Sequence, residues 1–395
     1  MKRFVVLIAA VALIAAACGS DDDDNASTSD SDGTVEIQVD ASTEDLNVEA
    51  IAFFPTDVTV HAGDTVSFKS NFRGEPHTVA LGTSIDKGLS IFDNLSDEEK
   101  DGPPPKEFEA LKIPFLFPEE EVPISELELN QSAGQPCFVT TGFAPAKAPC
   151  KDQDQPEFDG TASLYNSGFL ASDETFDVEL ADDLAPGTYQ FLCLVHGPEM
   201  RGKITVVGED AKVQTPAEVK AAGDKAEAEL VEQLRAVVDK TTTEAASGEV
   251  QAGVSGEEIP AEAIVFAPDE VSIPVGGTVT WKMGFHTVSF NHPESARVDV
   301  VRDKDGTVHL NKQTFAPANS PAYSPPEGGQ GEGDEQSEPP PVTIDAGKWD
   351  GDGFHSSGFI EAHGDTFYKL TFAKAGTYKY VCLIHPDMEG TVKVG

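Results

Sequence analysis

The chain has 395 residues, of which 69 are acidic and 27 basic, for a formal net charge of −42. So few cations cannot neutralise a phosphate backbone, which excludes nucleic acid as a partner; 35 glycines, 27 prolines and 39% hydrophobic residues suit turn-rich β structure better than a helical bundle. Domains commonly run ~100–200 residues, so two independently packed units are expected.

The chain begins with Met1, Lys2 and Arg3, followed by an apolar run from Phe4 to Ala17. That run falls short of the ~20 residues a membrane helix needs, so residues 1–17 read as an export signal peptide. The stretch "LIAAACGS", Leu13 to Ser20, resembles the cleavage and lipidation site of bacterial lipoproteins. The resemblance implies that Cys18 becomes an acylated first residue and anchors the chain at the outer face of the cytoplasmic membrane; the alternative is a cleaved signal with Cys18 unmodified. Residues 18–47 then read as an acidic, disordered tether, because a tract that opens on Asp21, Asp22, Asp23 and Asp24 and holds no basic residue offers too little apolar surface to fold.

From residue 48 the sequence matches itself. "PTDVTVHAGDTVSFK", Pro55 to Lys69, aligns with "PDEVSIPVGGTVTWK", Pro268 to Lys282, and His77-Thr-Val answers to His286-Thr-Val. Further on, Asn166-Ser-Gly-Phe-Leu aligns with Ser356-Ser-Gly-Phe-Ile, and Ala185-Pro-Gly-Thr-Tyr with Lys374-Ala-Gly-Thr-Tyr. Alternating stretches such as Thr65-Val-Ser-Phe, Thr175-Phe-Asp-Val-Glu-Leu and Thr366-Phe-Tyr-Lys-Leu-Thr-Phe read as half-buried strands, so each half is expected to be a β-sandwich. The first domain is placed at residues 48–208 with an insertion at 84–160, and the second at 258–395 with an insertion at 291–350. Between them, residues 209–257 form a linker. Its helix starts at the capping pattern Thr215-Pro-Ala-Glu218, carries a stripe of Val219, Leu230, Leu234, Val237 and Val238, and is weakened by Gly223. Cys137 and Cys150 lie in the first insertion and, in an oxidising compartment, are expected to form a disulfide worth ~3 kcal/mol, with two free thiols as the alternative.

Two stretches carry chemistry. "YQFLCLVHGPEMRG", Tyr189 to Gly202, and "YKYVCLIHPDMEG", Tyr378 to Gly390, each gather a thiol, an imidazole and a thioether at an apolar strand end. A thiolate, two neutral imidazoles and a weak axial thioether make a trigonal site suited to copper in either oxidation state. The second imidazole must come from elsewhere, and His77 and His286 hold corresponding places in the repeat. Buried structural thiols with core methionines would be the bland reading of either stretch alone.

At these residues both halves resemble the cupredoxins, the plastocyanin, azurin and amicyanin family. The resemblance implies an all-β chain of two tandem Greek-key cupredoxin sandwiches joined by a helix-containing linker, with long loop insertions. It implies one type 1 (blue) copper held by His77, Cys193, His196 and Met200, and another by His286, Cys382, His385 and Met388. It further implies that His196 and His385 are electron ports reaching the surface through apolar patches. The remaining histidines, His61, His292, His309, His355 and His363, read as surface or turn residues.

Three functions were weighed. The first is outer-sphere electron transfer without enzymatic activity, between redox partner proteins at the membrane surface. The second is copper storage or delivery. The third is a two-domain copper reductase or oxidase, which needs further histidines beside the cysteine; here Leu192, Leu194, Val381 and Leu383 flank the two thiols and no His-x-His occurs.

Overall fold

The computed structural model describes residues 33–41, 43, 46–71, 76–100, 102–115, 129–134, 155–170, 172–256, 258–297, 300–304, 307–323, 341–360, 365–385 and 387–395. The signal peptide, Cys18, Cys137, Cys150 and His363 therefore lie outside the described residues. No described helix is long and apolar enough to cross a membrane.

The described chain builds two β-sandwiches. In the first, one sheet runs Phe53–Phe54, Thr34–Val39, Thr65–Ser70, Thr175–Glu179, and it faces a sheet of Asp57–His61, Gly197–Val207, Gly187–Cys193, Ala80–Leu81 and Tyr165–Asn166. In the second, a six-stranded sheet of Val342–Trp349, Thr366–Phe372, Thr278–Met283, Glu249–Ser255, Ala261–Ala267 and Val48–Ala50 faces Glu270–Ile273, Glu389–Val394, Gly376–Val381, Ser289–Phe290 and His355–Ser356. Strand alternation drives the packing. Tyr368, Leu370 and Phe372 turn one face of their strand inward against Trp281, which also packs edge-on against Phe290 and Tyr380. In the first core Phe191 sits edge-on to both Phe53 and Phe68, with ring centroids 4.9 Å apart in each pair.

Four expectations about boundaries are corrected. The tether ends sooner than residue 47, because Thr34–Val39 is a strand lying parallel to Thr65–Ser70 over its full length. Its acidic surroundings concealed a short period-2 pattern in which Val35, Ile37 and Val39 face the core while Glu36 points outward. Val48–Ala50, expected to open the first domain, pairs antiparallel with Ala261–Ala267 of the second. Glu249–Ser255, assigned to the linker, is a strand of the second sandwich, paired with Ala261–Ala267 and Thr278–Met283. Val342–Trp349, assigned to an insertion, is an edge strand parallel to Thr366–Phe372, and a register shift between Asp345 and Lys348 lets Trp349 reach the core.

The linker helix spans Pro216–Glu244 and starts from a reciprocal capping box between Thr215 and Glu218. It packs on strands of both halves. Val219 enters the first core, while Leu230, Val231 and Leu234 join Ala41, Val48, Phe54, Val254 and Ala263 in a separate apolar cluster. Gly223 is a close-approach site: a Cβ there would fall 2.8 Å from the Phe54 carbonyl oxygen, so the helix gives up propensity to sit flush on the chain. Leu234 is fully buried in that shared cluster. Leu234→Ala is expected to cost about 2–4 kcal/mol of stability, read as a lower denaturation midpoint; an unchanged midpoint would mean that the helix does not stay docked.

Candidate metal centres

Each site sits at one end of its sandwich, where the strand carrying cysteine meets the turn carrying histidine. In the second half, His286 Nδ1 lies 2.9 Å from His385 Nδ1 and 3.9 Å from Cys382 Sγ, and His385 Nδ1 lies 3.4 Å from that sulfur. A triangle with these edges places an ion about 2 Å from every corner, the usual length of a metal–imidazole bond (~2.0–2.1 Å). In the first half His77 Nδ1 lies 4.0 Å from Cys193 Sγ, and the donor atoms of His77, Cys193 and His196 all fall within 4.8 Å of one another. Met200 and Met388 are buried in the same cores as the two cysteines, and the Met388 carbonyl accepts from the Cys382 N–H at 3.0 Å. Six of the eight residues singled out by the repeat thus converge as two groups of three, His77 with Cys193 and His196, and His286 with Cys382 and His385, while Met200 and Met388 share the apolar cores of the two cysteines.

The repeated His-Thr-Val explains how the donors are held. The Thr78 N–H donates to Cys193 Sγ at 3.4 Å, and the Thr78 hydroxyl accepts from the Leu194 N–H at 2.7 Å. Thr287 does the same for Cys382 and Leu383, at 3.4 and 2.8 Å. One threonine therefore ties the histidine strand to both sides of the cysteine. The next residue is fixed by the repeated Ser-Gly-Phe: Val79 N–H donates to Ser167 Oγ at 2.8 Å and Val288 N–H to Ser357 Oγ at 2.9 Å. These roles were not drawn from the sequence, although the motifs themselves were in view.

Burial pushes both thiols up, but the neighbouring imidazoles outweigh it and hold Cys193 and Cys382 well below the usual thiol range. Each site thus presents a thiolate. Burial pushes His77 and His286 down, yet contact with Asp40 and Cys193 brings His77 to about 9, and Glu262 with Cys382 brings His286 to about 10.

Among the described residues, carboxylates stand beside the rings of His77, His286 and His385. His77 Nε2 lies 3.5 Å from Asp40 Oδ2, His286 Nε2 3.3 Å from Glu262 Oε2, and His385 Nε2 3.2 Å from Glu49 Oε2. A ring that binds metal through Nδ1 carries its proton on Nε2, and a carboxylate this close favours that tautomer by charge, although none of the three contacts has hydrogen-bond geometry. Glu49 and Glu262 are direct partners across neighbouring strands, so two like charges are held side by side and each is answered by one imidazole edge of the same site. Sequence reasoning missed all three carboxylates, since nothing local marks one acid within an acidic tract.

Two sequence expectations fail here. His385 does not reach the surface: it is 1% exposed and covered by Glu49, because the Val48–Ala50 strand is laid over its loop. His196 is half-buried. His355 is not a surface or turn histidine but a buried one, its Nε2 2.8 Å from the Tyr368 hydroxyl. His61 lies near the surface with its Nε2 3.0 Å from the Ala211 carbonyl, and half-buried His292 and exposed His309 belong to neither donor group.

Buried thiolate, paired imidazoles and a buried thioether form a soft, asymmetric donor set that fits copper; zinc sites take a fourth nitrogen, oxygen or thiolate instead. Each half is a β-sandwich that carries one such His-Cys-His group. Neither a family model nor a curated relative matches the chain. Solved structures do match. They include a reduced auracyanin of the photosynthetic bacterium Roseiflexus castenholzii, at 21% identity over 45% of this chain and 98% of that one, with a TM-score of 0.22. Auracyanin A of Chloroflexus aurantiacus, described as a "blue" copper protein, matches at 22% identity over 44% of this chain and 98% of that one, TM-score 0.20. An oxidised amicyanin variant matches at 12% identity over 46% and 90%, TM-score 0.21.

Two outcomes follow from this geometry. Gly253 stands at a register shift with φ +72°, and a Cβ there would overlap His286 Nε2 and Glu262 Oε1. Gly253→Ala is expected to weaken metal retention at the second site by about 10–100-fold and leave the first intact, measured by chelator competition on each site; equal effects on both would contradict the local clash. Metal must also displace the ring protons of His77 and His286, held up to about 9 and about 10. Uptake should therefore release protons, and apparent affinity should rise as pH increases through the neutral range towards about 9, as followed by competition titration in weakly buffered solution.

Proposed function

We propose that this chain is an extracytoplasmic electron-transfer protein with two mononuclear type 1 copper sites, lipid-anchored through Cys18 and serving redox partner proteins at the membrane surface. The observation that carries the reading is the duplicated grouping of a buried cysteine with two histidines, with a methionine in the same core. Copper bound at such a site supplies one-electron chemistry by alternating between Cu(II) and Cu(I). The protein's part is to hold the donors where either state is accommodated. Thr78 and Thr287 lock the cysteines, Asp40, Glu262 and Glu49 favour one ring tautomer by charge, and Leu194, Leu383 and Ile384 keep water away.

Electron transfer is favoured over delivery because the donors are buried, whereas handing over Cu(I) calls for exposed soft ligands that a partner can reach. A reductase or oxidase reading is disfavoured by Leu192, Leu194, Val381 and Leu383, which leave no histidine beside either thiol to pass electrons to a further metal. The test is metal analysis and a visible spectrum of the full chain beside Cys193→Ser and Cys382→Ser. Two coppers per chain and loss of about half the blue band in each variant are expected. A colourless parent that binds no copper would falsify the reading, and ready loss of Cu(I) to a chelator would favour delivery.

A further inference from the structure

Two acidic residues close in sequence touch the two sites. Asp40 and Glu49 are only nine residues apart, yet Asp40 stands against His77 of the first site and Glu49 against His385 of the second. Asp40 Oδ1 accepts from the Ala41 N–H at 2.6 Å and from the Ala50 N–H at 2.5 Å. Ala50 is bonded directly to Glu49. From one ring to the other the chain therefore runs His77 Nε2 to Asp40 at 3.5 Å, one hydrogen bond from Asp40 to Ala50, the covalent bonds of Glu49, and Glu49 to His385 Nε2 at 3.2 Å. Asp40, His77 and His385 are at most 1% exposed and Glu49 is 6% exposed, so no layer of water interrupts the path.

The placement of Glu49 has a second consequence. The outward edge of the loop histidine is where an outside protein would have to approach a site buried this deeply. At His385 that edge is filled by the chain itself, through Glu49 on a strand hydrogen-bonded into the second sandwich. His196 is half-buried, against the 1% exposure of His385.

We propose that Asp40, Ala50 and Glu49 form an internal electron bridge: the second site exchanges electrons with the first through Glu49 and Asp40, and the first exchanges with outside partners at His196. The proposal rests on the two-site reading above. One electron is lost at one site and gained at the other, with no proton transferred. The external reductant or oxidant is a one-electron redox protein docking at His196. Glu49 is a positioning residue, since it acts through His385, and covalent bonds with short contacts couple two centres better than an equal span of solvent.

The test uses the copper-loaded full chain, first shown to hold two coppers, reduced by less than one electron per chain with a photoexcited ruthenium complex. The expected result is a redistribution between the sites that is first order and independent of protein concentration. It should disappear in Cys193→Ser. Glu49→Ala should slow it at least ~10-fold while copper content stays at two per chain, and Glu49→Gln, which keeps an oxygen against the ring, should restore most of the rate. A readout that does not depend on copper is the reactivity of His385 towards diethylpyrocarbonate in the copper-free chain, expected to be protected in the parent and exposed in Glu49→Ala. A redistribution whose rate scales with protein concentration, or one that Glu49→Ala leaves unchanged although His385 has become reactive, would overturn the bridge while leaving both copper sites standing. A parent chain without copper would instead overturn the reading on which the bridge rests.

Discussion

Everything in this molecule answers to one electrostatic constraint: a thiolate and two imidazoles must sit together out of water at the end of a β-sandwich. Burying ionisable groups is costly unless each is paired. Each sulfur receives a backbone N–H from the threonine that follows the distant histidine, and the rings of His77, His286 and His385 each have a carboxylate within 3.5 Å. A metal held at Sγ and the ring Nδ1 atoms of the second site would leave the Nε2 edges of His286 and His385 beside Glu262 and Glu49.

The same constraint explains why the two halves are fused rather than strung together. Glu49 is useful only if its strand is held against the second sandwich, and Asp40 only if it is held against the first. The two are held by the bonds of Asp40 to two backbone amides and by the pairing of Val48–Ala50 with Ala261–Ala267. The helix Pro216–Glu244 completes the clamp, with Val219 in one core and Leu234 in the cluster shared with Val48 and Phe54. Two folds that could each stand alone are thereby tied at the places where their histidines meet the chain.

The sequence by itself determined the strand periodicity, the duplication and the identity of the donors, because all three are local. Thr366–Phe372 alternates visibly, Thr215 and Glu218 announce a helix start, and Cys382, His385 and Met388 share one turn. Even the pairing of His77 with Cys193 could be read across more than a hundred residues, since the repeat supplied a second copy of the same order. What only the tertiary structure decided was which residue faces which across the two halves. Glu49 is one acid among many in its tract, and only the crossing of Val48–Ala50 into the other sheet singles it out and seals His385 from the surface. Likewise Thr34–Val39 is too short to outweigh its acidic flanks until Thr65–Ser70 offers it backbone partners. Periodicity and ligand order are written along the chain, whereas burial and charge pairing arise between segments and exist only once the sheets have closed.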